Sequence, residues 1–345
     1  MTPGSHIEML GFVALAAAAI SAVLIVALRP LLHRYALARP NARSSHHVPT
    51  PQGAGIAVIA ATLGIGGAYG VITDLPPPSV LFAAVPVIAL VGLVDDIKPI
   101  PVLPRLILQG IAVGAIVFSA PGDLRIIPAL PLGVERGLLL IAGLWFVNLV
   151  NFMDGLDLMT VAEGVPITAT LVVLGVLGTL PWPAAIMATA LCGALLGFAP
   201  FNRPVARVFL GDVGSLPIGL LLGWCLLQLA WNGNTAAALL LPMYYLIDAT
   251  FTLLRRMLRR EPFWAAHRTH FYQRATDNGF TVRRVVSEVL VLNIVLAILA
   301  GASIALRSMA LDLLLLVAGA GAVTFLLRRF SEPRLGGPSV ASRRA

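Results

Sequence analysis

The sequence predicts an all-α, polytopic integral membrane protein of about eleven transmembrane helices, with its N-terminus outside and its C-terminus in the cytosol. Three observations carry that reading. Of the 345 residues, 58% are hydrophobic and only 12% are charged, and mean hydropathy is +0.91. Soluble domains carry about 25% charged residues and disordered chains need high charge with low hydrophobicity, so both classes are excluded. The apolar residues also fall in runs close to the ~20 residues that span a bilayer. Finally, the basic residues segregate to alternate loops.

In chain order the candidate spans lie near Ile7–Leu28, Gly53–Ile72, Ser79–Val94, Arg105–Ala120, Gly137–Leu149, Val161–Leu180, Trp182–Ala199, Val213–Ala230, Thr235–Leu254, Val285–Leu306 and Met309–Leu327. The fifth is short and only Pro181 separates the sixth from the seventh, which leaves ten as the alternative count. No basic n-region precedes the first run and no small-residue cleavage site follows it. That run therefore reads as a retained span and not a signal peptide. Residues 1–330 form a single polytopic domain on this reading, and 331–345 a basic, disordered cytosolic tail. Cys192 and Cys225 both lie in apolar runs, without the spacing of a disulfide framework or a metal site.

With the N-terminus outside, 21 of the 24 Lys and Arg fall on inner segments and only Arg125, Arg136 and Arg307 on outer loops. Positive-inside bias sets the orientation. The net charge of +8 is then a topology signal, with no nucleic-acid implication. Acidic residues contribute little to topology and need another explanation. Asp74, Asp123 and Glu135 read as ordinary outer-loop chemistry, whereas Asp95, Asp96, Asp154, Asp157 and Asp212 all collect at inner span ends or short inner loops. Ionisable groups at membrane depth cost roughly 2.5–3.5 kcal/mol on insertion scales, which makes them functional candidates.

Asp95 and Asp96 end an apolar helix, where two acids oppose the macrodipole and a structural stop would use Lys or Arg. In Asn151-Phe152-Met153-Asp154-Gly155-Leu156-Asp157 the two acids are three apart and share a helical face with Asn151, with no basic residue in the loop. Hard oxygen ligands of this kind suit Mg²⁺ or Mn²⁺, especially where substrate phosphates complete the shell. Asp212, within Phe209-Leu210-Gly211-Asp212-Val213-Gly214-Ser215, precedes a span, and Gly211 and Gly214 permit close backbone approach at a helix N-terminus that favours anions. The longest inner loop holds His267-Arg268-Thr269-His270-Phe271-Tyr272-Gln273-Arg274. No Glu follows the first His, so the zinc-protease signature is absent, and phosphate binding suits the His–Arg group better. Arg255, Arg256, Arg259 and Arg260 are assigned to the membrane surface, facing anionic headgroups. Pro49 to Gly55 reads as a turn and flexible helix start facing the same compartment.

With these elements in order, the chain resembles the polyprenyl-phosphate N-acetylhexosamine-1-phosphate transferase family (glycosyltransferase family 4) over roughly residues 45–275. The resemblance implies transfer of an N-acetylaminosugar 1-phosphate from a UDP-sugar to undecaprenyl or another polyprenyl phosphate, releasing UMP, at the cytosolic face of a bacterial inner membrane. It implies Mg²⁺, with Mn²⁺ as a substitute, held at Asp212 with Asn151 and Asp154 close by. Asp157, Asn202, Phe209, Gly211 and Arg268 would line the nucleotide-sugar site, with Phe209 against uracil. Asp95 and Asp96 would orient or deprotonate the lipid phosphate, and His267 and His270 would lie near the sugar and pyrophosphate. A homodimer is expected from family relatives. The phospho-MurNAc-pentapeptide translocase branch carries three consecutive histidines and a lysine in its first inner loop. Here the only lysine is Lys98 and the histidines are interrupted, which favours a branch that opens O-antigen or exopolysaccharide synthesis. A secondary transporter is the rival from another class, but its charged site would sit near the bilayer midplane. A CDP-alcohol phosphatidyltransferase shares only Asp154-Gly155, without the Ala-Arg that should follow.

Overall fold

The structure is a computed structural model that describes residues 3–38, 49–73, 75, 77–262 and 267–333. Thirteen helices follow one another: α1 (Pro3–Tyr35), α2 (Gly55–Ile72), α3 (Ser79–Ile97), α4 (Val102–Ser119), α5 (Leu132–Met153), α6 (Met159–Val176), α7 (Trp182–Phe198), α8 (Asp212–Trp231), α9 (Thr235–Leu240), α10 (Met243–Leu258), α11 (Phe271–Asp277), α12 (Val282–Leu306) and α13 (Met309–Ser331). Two-residue strands β1 (Leu37–Ala38) and β2 (Thr50–Pro51) pair antiparallel at the inner end of α1. Most of the expected basic tail, 334–345, lies outside the described residues.

The all-α polytopic expectation holds: ten of the helices are long and apolar enough to cross a membrane. α8 is the hub, with 83% of its apolar window buried, whereas α13 has 22% buried and lies at the edge. Apolar side chains such as Phe12, Leu90, Ile141 and Val317 point outward, as lipid contact requires. Between helices lipid supplies no hydrophobic driving force, so small residues that let backbones approach do the packing. Gly193 and Gly197, one turn apart on α7, lie against α1 so closely that an added Cβ would fall 2.1 Å from the Ala14 carbonyl and 2.2 Å from that of Ala18.

Two span expectations are corrected. The fifth run is not short: α5 begins at Leu132. Glu135 and Arg136 interrupt the apolar pattern, yet both are buried and each has polar partners. Glu135 pairs with Arg125 at 2.5 Å and accepts from the Ile126 N–H, while Arg136 donates to the carbonyls of Pro121 and Leu124. The ninth run, Thr235–Leu254, is two helices broken at Leu241-Pro242, because Pro242 has no N–H to continue the ladder. The break is tolerated because Leu240, Leu241 and Met243 are enclosed in protein. α9 starts beside the far end of α8, where the Asn234 N–H bonds the Leu229 carbonyl, and α10 ends near Asp212's end of the bundle. α9 and α10 thus run from one end of the bundle toward the other in two pieces, and neither is among the ten membrane-length apolar helices of the described residues.

Candidate active site

Five elements deliver polar groups to one end of the bundle. Asp96 closes α3 and reaches the N-terminus of α8, where it accepts from the N–H groups of Asp212 (2.9 Å) and Val213 (3.1 Å). Its carboxylate also accepts from the side-chain amide of Gln52, just after β2. Helix N-termini leave donors unsatisfied, and Asp96 supplies the side-chain cap that α8 lacks from its own N-cap residue, Gly211. Gly211, at φ 77°, lets the backbone turn into α8, and an added Cβ there would press on the Asp96 carboxylate. Gly214 lies on Gly55 so closely that a Cβ would fall 2.7 Å from the Gly55 Cα. This contact brings the start of α2, and so Gln52, to the site.

Asn151, in the last turn of α5, donates its amide to Asp212 Oδ1 and Ser215 Oγ, both at 2.8 Å. Asp154 follows α5 and accepts from the Thr160 hydroxyl at 2.5 Å. Its side chain is half-buried, and desolvation pushes its pKa up to about 7 against the Thr160 hydrogen bond, the negative charges of Asp96 and Asp157 acting in the same direction. Asp95 accepts from the Ile100 N–H at 2.6 Å and pairs with Arg105 Nη1 at 2.8 Å; the same nitrogen lies 3.7 Å from Asp212 Oδ2. Arg105, counted in the sequence only as a topology residue, therefore sits inside the site between two of its acids. Its spacing of ten from Asp95 carries no periodic signal that would have revealed this.

Asp157 and Asn202 come together in a scaffold. Asp157 accepts from the Ala206 N–H at 3.0 Å, and Asn202 accepts from the Leu158 N–H (2.7 Å) while donating to the Val208 carbonyl (2.9 Å). They hold Leu158 in the left-handed region, φ 63°, where a branched side chain is strained. Phe209 is half-buried, and its backbone bonds Pro51 and the Gly53 and Ala54 N–H groups, tying this loop to β2.

The histidines lie on the far side of Phe152, whose ring centroid is 6.4 Å from that of His270; His267 and His270 are 5.0 Å apart. Sequence reasoning missed Asp248 in α10. It is fully buried, accepts from the Phe271 and Tyr272 N–H groups at 3.1 and 3.3 Å, and lies 3.4 Å from His270 Nδ1. Tyr272 ties this segment to α5 by donating to the Phe152 carbonyl at 2.9 Å. Arg268 is not brought to the carboxylates: it donates to Thr276 at 3.0 Å and pairs with Asp277 at 3.3 Å.

Among the described residues no three His, Cys, Asp or Glu side chains form a ready-made metal cage. Mg²⁺ commonly takes one or two carboxylates and completes its shell with water and substrate phosphates, so the all-oxygen set of Asp212, Asn151 and Asp154 fits it. The Arg105 guanidinium already places one positive charge between Asp95 and Asp212.

The helical bundle gathers acids, amides and an arginine at one of its ends. Residues 78–230, which carry most of these groups, match Glycosyl transferase family 4. The decaprenyl-phosphate N-acetylglucosaminephosphotransferase of Mycobacterium tuberculosis is 29% identical, covering 82% of this chain and 80% of that one. A probable undecaprenyl-phosphate N-acetylglucosaminyl 1-phosphate transferase of Bacillus subtilis is 24% identical, covering 81% and 82%. The phospho-N-acetylmuramoyl-pentapeptide-transferase of Neisseria meningitidis is 37% identical over a shorter stretch, 34% of this chain and 38% of that one. These matches support a phospho-sugar transferase of the polyprenyl-phosphate N-acetylhexosamine-1-phosphate transferase family.

Proposed function

We propose that this protein moves an N-acetylaminosugar 1-phosphate from a UDP-sugar onto undecaprenyl or another polyprenyl phosphate, releasing UMP, on the cytosolic side of a bacterial inner membrane. The product would open O-antigen or exopolysaccharide synthesis. The observation that carries the reading is the convergence of Asp95, Asp96, Asn151, Asp154 and Asp212 at one end of the bundle, all within the matched family segment.

In the reaction a lipid phosphate oxygen attacks the β-phosphorus and the bond to the UMP oxygen breaks. Two anions must approach, so charge neutralisation and positioning dominate the barrier. Bound Mg²⁺ would neutralise the pyrophosphate and stabilise the leaving group. Asp212 would hold it, with Asn151 fixing the Asp212 carboxylate and Asp154 adjacent. The second pKa of a phosphate monoester is near 6, so the acceptor is largely ionised at neutral pH and needs little general-base help. Asp96, engaged with the α8 N-terminus, serves as a positioning residue in this scheme. His270, oriented by Asp248, would face the sugar and pyrophosphate, and Phe209 would meet uracil.

Purified protein incubated with UDP-N-acetylglucosamine, Mg²⁺ and undecaprenyl phosphate should release UMP and form the lipid-linked sugar phosphate. A parallel arm with UDP-MurNAc-pentapeptide tests the translocase branch. Transport of either nucleotide sugar without UMP release would overturn the proposal.

A further inference from the structure

The cytosolic end of α10 carries a second concave site that the carboxylate centre does not use. A cavity of about 210 Å³ is lined by Arg255, Arg256, Arg259 and Arg274, with Thr252, Thr269 and Glu261 completing it. Arg255 and Arg259, four apart at the end of α10, share one face. Arg274 comes from a different element and is steadied by the Phe271 ring, 5.6 Å from its guanidinium carbon. Glu261, the single acid of this wall, is already paired with buried Arg256 at 2.8 Å. Arg256 also donates to the Pro262 carbonyl at 3.1 Å, and its buried Nε has no partner among the described residues.

A helix C-terminus favours cations, which accounts for Arg255 and Arg256 in the last turn of α10 and for Arg274 in the last turn of α11, but not for their lining one cavity from two separate elements. Arginines serving only as a flat lipid-facing surface would splay apart to lower their mutual repulsion. These instead line one hollow, and Arg260, grouped with them in the sequence, is not part of it. Forked guanidinium groups around a cavity match the oxygens of a phosphate, and basic pockets at the cytosolic ends of membrane helices receive anionic headgroups.

We propose that this arginine pocket is a phosphate-binding site separate from the carboxylate centre, taking the phosphate of an anionic phospholipid or free inorganic phosphate. The site stands whether or not the reaction proposed above is right. The full-length protein in neutral detergent would be offered phosphatidylglycerol or phosphatidylcholine and read by native mass spectrometry. In a second arm, inorganic phosphate would be titrated by calorimetry. The variants are R255Q/R259Q, at half-buried and exposed positions, R274Q from α11 should the double variant melt early, and R328Q, an exposed arginine outside the pocket, as control.

The expected result is preferential retention of phosphatidylglycerol, or binding of phosphate, lowered about tenfold or more by the pocket variants and unchanged by R328Q. Retention of lipid without phosphate binding assigns the site to a headgroup, and the reverse assigns it to the free anion. The proposal fails if the wild type binds neither probe, if the pocket variants bind as well as wild type, or if R328Q loses as much as they do.

Discussion

Asp96 accepts hydrogen bonds from Gln52 and two α8 N–H groups, which makes it a cap as much as a reactive group. D96N is expected to cost about 1–2 kcal/mol of stability, as loss of a helix cap does, and to lower turnover with the shape of the pH–rate profile unchanged. Melting in detergent and UMP release across pH measure both. Activity restored progressively at high pH would instead identify Asp96 as a base. In the proposed scheme Arg105, 3.7 Å from Asp212, would compete with a divalent cation for that carboxylate. R105Q should then lower the Mg²⁺ concentration for half-maximal activity, while reducing kcat through loss of a positive charge. An unchanged Mg²⁺ titration would remove Arg105 from the cation site. D212A is expected to abolish Mg²⁺-dependent UMP release, and a fully active variant would sink the metal assignment. The acids, amides and histidines were legible in the sequence because charge is rare in apolar spans. Asp248 and Arg105 were not, because a lone Asp in a span and an Arg near a span start have ordinary readings. Only the folded chain shows that one touches His270 and the other Asp95.

At the scale of elements, the site depends on close backbone approach. G214A would drive a methyl group into the Gly55 Cα, and neither backbone can move without shifting α2 or α8. We expect a loss of about 1–3 kcal/mol from overpacking, visible as a lower melting temperature, together with reduced turnover through displaced Gln52 and Asp96. G64A, where an added Cβ meets nothing within 4 Å, should leave both unchanged. The glycines flanking Asp212 were readable as permitting close approach, but which backbone would approach was not. Gly55 and Gly214 are far apart in the chain and carry no mutual signal. The break between α9 and α10 was also hidden, because a hydropathy window averages over Pro242 and sees one apolar run.

For the whole molecule, the ten membrane-length helices among the described residues and the broken α9–α10 pair leave the carboxylate site at the same end as the Asp248–His270 pair. With the positive-inside rule, that end should be cytosolic. Cysteines introduced into a variant lacking Cys192 and Cys225, at Gly122 on one side and at Arg203 on the other, should label oppositely with an impermeant maleimide in intact cells. Gly122 is expected to label from outside and Arg203 only after permeabilisation. The reverse pattern would overturn the orientation and with it the cytosolic placement of the site.

Composition and the distribution of charge determined the membrane class, the approximate span count and the residue types available for chemistry. Each of these is a property of local hydrophobicity and of how few charges a bilayer tolerates. Tertiary structure alone decided which of those groups meet. It made Asp96 the cap of a helix over a hundred residues away, placed Arg105 between two acids, and turned Arg268 away from them. Contacts between distant segments depend on how the helices pack. In lipid that packing is set by small-residue approaches and buried polar pairs, which leave almost no periodic trace in the sequence.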